Sequence, residues 1–258
     1  MPDRGDASRT GSGDRPYYDD VNIYDYDETI VAHPYMDQVK AAMLSDLISV
    51  DKSGQRALHV LDAGTGSGQL ARSILGAGFQ NVALADADSK AAAFCGEHPE
   101  LAHLPFHLVD FSCDDLGTLN NGRFDIVCLL GVYHHISPGQ RVAFLRRLAR
   151  LAPHVLIGDE GILEYDSEEQ RKANARAWYG FVISESRRRG IEKLAALEER
   201  FLASDVSEHR GAHDDFKESP TAVLSYAASA GYRVVRQTRL GDWERYGGGM
   251  YSVLLASS

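Results

Sequence analysis

Two adjacent histidines, His134 and His135, stand in the stretch GVYHHIS (Gly131–Ser137), directly after the apolar run FDIVCLL. Imidazole is the side chain whose ordinary pKa lies nearest neutral pH, so such a pair can act as a base, as metal ligands or as neither. A second chemistry-bearing stretch lies upstream. In HVLDAGTGSGQLA an acid, Asp62, precedes Gly64, Gly66 and Gly68. Alternating glycines allow a tight strand-to-helix turn and close approach of a ligand to the backbone. The dinucleotide fingerprint G-x-G-x-x-G would need glycine where Gln69 stands, and no Lys-Ser/Thr pair follows to make a phosphate-binding loop. Two more acids close short apolar runs: Asp86, followed by Ala87, after VALA, and Asp110, followed by Phe111, after HLV.

Elements that could hold these residues are legible from periodicity. ALHVLDA, NVALAD, FHLVD, FDIVCLL and HVLIGDE read as strands, and FDIVCLL, apolar throughout, reads as central and buried on both faces. Between them GQLARSILGAG, DSKAAAFCGEH (capped by Asp88 or Ser89) and PGQRVAFLRRLARLA read as helices. Strands alternating with helices at this spacing must run parallel, with right-handed crossovers. TAVLSYAASAG then reads as a helix, and YRVVRQTRL and MYSVLLAS as an antiparallel pair. The expected fold is a doubly wound, mostly parallel α/β sheet of seven strands, Rossmann-like, with an antiparallel edge strand. The expected organisation is a polar tail (1–16), an N-terminal helical lid (17–50), a core (51–164), a helical insertion after the fifth strand (165–216), and a C-terminal helix with edge strands (217–258).

Composition narrows the function. The formal net charge is −10, which opposes binding to nucleic acid. The densest basic stretch, SRRRG, is balanced by EKLAALEER and reads as a solvated helix face. Three cysteines without C-x-x-C spacing make neither a disulfide framework nor a cysteine zinc site. The tail lacks the apolar core of a signal peptide, and no apolar stretch is long enough to cross a bilayer. A cytoplasmic location is expected, with a small-molecule substrate as partner and no nucleic acid or membrane; a homodimer is left open.

Taken in order, VLDAGTGSG, VALADAD, HLVDF and FDIVCLLGVYHHI resemble the successive motifs of the class I S-adenosylmethionine-dependent methyltransferases, over about residues 58–161. The resemblance implies S-adenosylmethionine as cofactor, with S-adenosylhomocysteine as product. The glycine turn would wrap it, Asp62 would favour its cationic end, and Asp86 with Ala87 would take the ribose. Asp110 and Phe111 would meet the adenine, while Leu130 and Gly131 would pass the amino-acid end. Tyr24 and Tyr26 could close over the sulfonium, which aromatic faces attract.

The subclass is narrowed by what GVYHHIS lacks. It is no (D/N)-P-P-(Y/F) motif of DNA adenine methyltransferases, and it contains no carboxylate for metal-dependent or arginine-methylating chemistry. What remains is the small-molecule group: N-, C- or O-methylation of an aromatic or amino-acid-derived metabolite, in natural-product biosynthesis, with no metal. The base candidates are His134, Tyr133, Asp214 and His135, with His135 also readable as a packing residue. The stretch DDFK (Asp214–Lys217) resembles a segment lining related active sites. Tyr17, Tyr18, Trp178, Tyr179, His213 and Asp215 are the expected substrate contacts. Two other classes stay open: a different reaction on the same fold, such as aminopropyl transfer or cofactor-assisted rearrangement, and a cofactor-binding subunit without catalysis.

Overall fold

A computed structural model describes residues 22–111, 116, 119, 124–207 and 215–257. The apolar run forms β4 (Ile126–Leu130), flanked by β1 (Val60–Ala63) on one side and β5 (His154–Ile162) on the other, all parallel. β2 (Val82–Asp86) and β3 (Phe106–Leu108) extend the parallel sheet beyond β1. On the far side β7 (Gly248–Ser257) runs antiparallel to both β5 and the edge strand β6 (Tyr232–Leu240). The seven-stranded order is β3-β2-β1-β4-β5-β7-β6, so chain direction across the sheet reverses between β1 and β4. Ligands in open α/β sheets bind outside the carboxyl ends of the strands at that switch point. Both residue clusters singled out by chemistry, the glycine turn and the histidine pair, lie there.

Helices cover both faces. One apolar layer joins α2 (Met36–Val50), α3 (Gln69–Gly76) and α4 (Ser89–Glu97) to the sheet through Val39, Met43, Leu70, Ile74 and Phe94. The other joins α5 (Arg141–Leu151) and α8 (Pro220–Ser229) through Phe144, Leu145, Leu148 and Val223. α4 is capped by Asp88, which accepts from Lys90 N, and α8 by Ser219, which accepts from Ala222 N. α2 packs close to the sheet at Gly158 of β5, where an added Cβ would run into Met43 Sδ and stand 3.2 Å from Val39 Cγ2. The edge strand β6 carries Arg233, Arg236 and Arg239, charges that discourage pairing with another sheet.

Three helices stand over the strand ends. α6 (Glu168–Arg188) and α7 (Glu192–Asp205) form the insertion after β5, joined by the buried pair of Arg171 Nη1 and Asp205 Oδ1 at 2.8 Å. SRRRG closes α6: Arg187, Arg188 and Arg189 are exposed, and Gly190 turns the chain at φ +74°. Ahead of α2 lies a short helix, α1 (Ile23–Ile30), capped by Asn22. Periodicity did not single it out, because IYDYDETI interrupts its apolar positions with three acids. No helix among the described residues is long and apolar enough to cross a membrane.

Candidate active site

β1 ends in the glycine turn. Gly64, Gly66 and Gly68 have φ of +68°, +51° and +75°, a region that suits glycine. Gly64 N and Thr65 N donate to Ala85 O, holding the turn to the end of β2. A Cβ at Gly64 would come within 2.5 Å of Val132 Cγ2, so glycine is also needed for the turn to nest against the histidine segment. Asp62 lies under the turn, where Oδ2 accepts from Thr65 Oγ1 (2.7 Å) and Ala71 N (3.2 Å). Burial pushes its carboxyl up to about 7 despite those bonds. Asp86 accepts from Gly66 N (2.8 Å) through Oδ2 and from Asp88 N (2.9 Å) through Oδ1, and burial raises its pKa too. The Ala87 backbone N–H also lowers the Asp86 pKa by hydrogen bonding to the carboxylate.

The remaining cofactor candidates spread along the same rim. Gly131, at φ +67°, donates its N–H to Gly158 O and turns the chain out of β4 just past Leu130. Ala87 and Asp110 are exposed, and Phe111 is buried with its carbonyl accepting from Arg147 Nε. The tyrosines of α1 part company. The Tyr26 hydroxyl is buried, and desolvation together with the charges of Glu160, Glu198, Asp159 and Asp86 raises its pKa. Tyr24 is half exposed, packs edge-on against Phe94 and donates to Glu97 Oε2 at 2.7 Å, on the outer side of α4.

The histidine pair forms a short 3-10 turn, Tyr133–His135. Its three side chains go different ways. Tyr133 is fully buried against Phe144, with the Arg141 guanidinium 4.9 Å from its ring centroid, so its ring is committed to the core. His135 is half-buried, its ring 4.0 Å from that of His134. His134 is tied to Asp159, a wholly buried residue of β5. Its backbone N–H donates to Asp159 Oδ2 (3.0 Å), and its Nδ1–H donates to Oδ1 (2.5 Å). Burial opposes charge on the ring, but the Asp159 carboxylate outweighs it and raises the pKa of His134. With Nδ1 so engaged, Nε2 is the ring nitrogen that Asp159 does not hold.

A buried polar network continues from there under the lid. Asp215 Oδ2 accepts from Tyr179 Oη (2.7 Å) and Lys217 Nζ (2.8 Å), and Lys217 also donates to Tyr179 Oη. Desolvation alone would raise the Asp215 carboxyl, but Lys217 and the nearby histidines hold it well below its usual range. Desolvation would likewise discharge Lys217, which Asp215 and Glu160 keep protonated. Glu160 Oε2 accepts from Trp178 Nε1 at 2.8 Å and lies 3.7 Å from Lys217 Nζ. Trp178 and Tyr179 are thus fully buried parts of this network and of the lid packing. The loop is stitched to the histidine turn: Phe216 N donates to His134 O, while Arg141 donates to Ile136 O and Phe216 O. Tyr17, Tyr18, His213 and Asp214 lie outside the described residues.

Asp159, Glu160, Lys217, His33 and Glu198 were not among the sequence candidates. A signal existed for the first two, since consecutive acids inside a strand that is otherwise buried need a reason to be there. Lys217 closes the stretch DDFK, which the resemblance places along the site without giving the lysine a role of its own. Nothing local marks His33, in the turn before α2, or Glu198, on α7.

Residues 60–153 match a family described as a methyltransferase domain. No curated protein sequence matches the chain. Among solved structures, PigF with S-adenosylhomocysteine superposes with a TM-score of 0.60 at 18% identity, covering 95% of this chain and 63% of that one. A complex of DhpI with S-adenosylmethionine and HEP gives 0.56 at 19% identity, covering 92% and 93%. Magnesium protoporphyrin IX methyltransferase from Synechocystis PCC 6803, with S-adenosylmethionine bound, gives 0.51 at 16% identity, covering 85% and 79%. At these identities the likeness is one of fold.

The donor set fits the same cofactor. Asp86 offers two oxygens of one carboxylate to a vicinal diol, and Asp62 offers a buried negative charge to a cation, with no cationic side chain at the turn to attract phosphate. Residues 60–153 thus match a methyltransferase domain, and the wider chain shares its fold with methyltransferase structures that hold S-adenosylmethionine or S-adenosylhomocysteine.

Proposed function

We propose that the protein methylates a hydroxyl oxygen of a small molecule held between the carboxyl ends of β4 and β5 and the lid. The His134–Asp159 pair carries this reading. Bound S-adenosylmethionine supplies a methyl group already activated by its positive sulfur. What the protein must add for an oxygen nucleophile is position, exclusion of water and a place for the proton. His134 Nε2 receives the proton of the acceptor hydroxyl. Asp159 fixes the ring with the proton on Nδ1 and balances the imidazolium that forms. Asp86 holds the ribose, Asp62 favours the ammonium end, and the turn Gly64–Gly68 presents its backbone to the cofactor.

The small-molecule reading is supported by the lid: Trp178 and Tyr179 of α6 and Asp215 and Lys217 of the loop before α8 are buried in one polar network beside His134. Solved structures of this fold include a complex of DhpI with S-adenosylmethionine and HEP. Deuterated-methyl S-adenosylmethionine incubated with a panel of small phenols, alcohols, amines and carbon acids tests the assignment. Methyl ethers with the label, formed by the native protein and lost in His134→Gln, are the expected result. Labelled N- or C-methyl products alone would overturn the oxygen assignment. Consumption of cofactor with no methyl transferred would overturn the reaction class.

A further inference from the structure

One group of buried side chains is not used by this chemistry. His33, in the turn between α1 and α2, Glu160, in β5, and Glu198, on α7, converge on one point under the lid. His33 Nε2 lies 3.6 Å from Glu160 Oε1 and 3.9 Å from Glu198 Oε1, and one ligand atom from each residue falls within 4.8 Å of the others. These separations are too long for hydrogen bonds. His33 Nε2 and Glu198 Oε2 are both buried and make no hydrogen bond. Native proteins seldom leave buried polar atoms so.

The geometry points to a divalent metal site made by His33, Glu160 and Glu198, taking a borderline first-row ion of the Zn²⁺ type. His33 is already oriented for it. Its other ring nitrogen, Nδ1, is 3.0 Å from the Pro34 carbonyl, so Nδ1 carries the proton and the Nε2 lone pair faces the two carboxylates. Metal-binding histidines are held in this way by an outer hydrogen bond. Glu160 divides its oxygens likewise: Oε2 takes the Trp178 indole and stands by Lys217, which leaves Oε1 for an ion. Ligands bound at about 2.0–2.2 Å to one ion stand roughly 3–4 Å from each other, as these do within a small contraction. Charge also closes. Two carboxylates neutralise a divalent ion, while the adjacent Lys217 is neutralised by Asp215. One imidazole with two carboxylates favours Zn²⁺, Mn²⁺ or Co²⁺ over Ca²⁺ or Mg²⁺. Such an ion would tie the N-terminal segment and α7 to the sheet, and so hold the lid on the strand ends.

This site stands independently of the methyl acceptor, and so does its test. The purified full chain is stripped with chelator, then titrated with Zn²⁺ by calorimetry and with Co²⁺ by visible absorption. The expected result is one ion bound per chain, a d–d spectrum distinct from aqueous Co²⁺, and a metal-dependent rise in melting temperature. Glu198→Gln, close to isosteric, should weaken Zn²⁺ more than about tenfold, as should His33→Ala. Variants are compared after their circular dichroism and cofactor binding match the native chain; if neither folds, the native Co²⁺ spectrum decides. No binding, a spectrum of the aqueous ion, or equal affinity in folded Glu198→Gln would overturn the site. So would competition for it by simple alkylammonium ions at equal strength, which would make it a cation pocket rather than a metal site.

Discussion

His134 and Asp159 meet twice, once through the imidazole Nδ1 at 2.5 Å and once through the backbone N–H at 3.0 Å. The carboxylate that sets the ring's tautomer therefore also pins the backbone from which the ring projects. The same Oδ1 accepts from Glu160 N at 2.7 Å, so the Asp159 carboxylate takes three direct hydrogen bonds.

Replacement of that carboxylate separates position from charge. In Asp159→Asn the amide has one acceptor oxygen for three donors, and its NH₂ faces an N–H. Stability should fall by at least about 2 kcal/mol. At temperatures where the variant remains folded, kcat should drop on the order of 10²-fold or more with cofactor affinity changed little. His134→Gln should show the loss of kcat with a smaller loss of stability. Melting curves and steady-state kinetics on both variants check the pattern.

Asp86→Ala removes the proposed ribose acceptor and also releases Gly66 N and Asp88 N. Cofactor affinity should weaken by about 1–3 kcal/mol, read by titration calorimetry. Unchanged affinity would take Asp86 out of the site.

The pH dependence of Asp62 has two signs. Burial places its folded pKa at about 7, above the unfolded value of about 3.9. Between those values the folded apoprotein holds a proton that the unfolded chain has lost. The stability Asp62 contributes is therefore fully present below about pH 4 and is lost as pH rises through about 7. Cofactor binding runs the other way, because the ionised carboxylate favours the ammonium group; affinity should rise across pH 6 to 8. Asp62→Asn should flatten both trends. The comparison of native and variant melting temperatures and cofactor affinities from pH 4 to 8 isolates this group from the other buried acids.

Gly158→Ala inserts one methyl between β5 and α2, against Met43 Sδ. Overpacking there should cost about 1–3 kcal/mol. Pairing it with Met43→Ala should recover part of the loss, because Met43 is the side chain that must give way. Denaturant titration of the single and double variants measures the coupling.

Much of this was legible in the chain. The glycine turn, the apolar β4 and the alternation of strand and helix are local patterns, each set by backbone freedom or by burial on two faces. With the sheet order they place Asp62, Asp86, Gly131 and the histidines at one rim. The pattern failed at α1, where acids interrupt the apolar face, and so could not tell Tyr26, turned in, from Tyr24, turned out. It also could not choose between Tyr133 and His134, adjacent residues whose directions depend on a 3-10 turn and on a partner 25 residues away in β5.

The sequence by itself determined the core of the fold, because the glycine turn and the acids at strand ends are local patterns whose order follows the chain. Only the tertiary structure decided which polar groups work together. Asp159 and Glu160 on β5, Lys217 on the loop before α8, Glu198 on α7 and His33 in the turn before α2 come from distant parts of the chain, and taking each from water carries a cost that only its partners offset. Those partners are set by lid packing on the sheet and not by spacing along the chain.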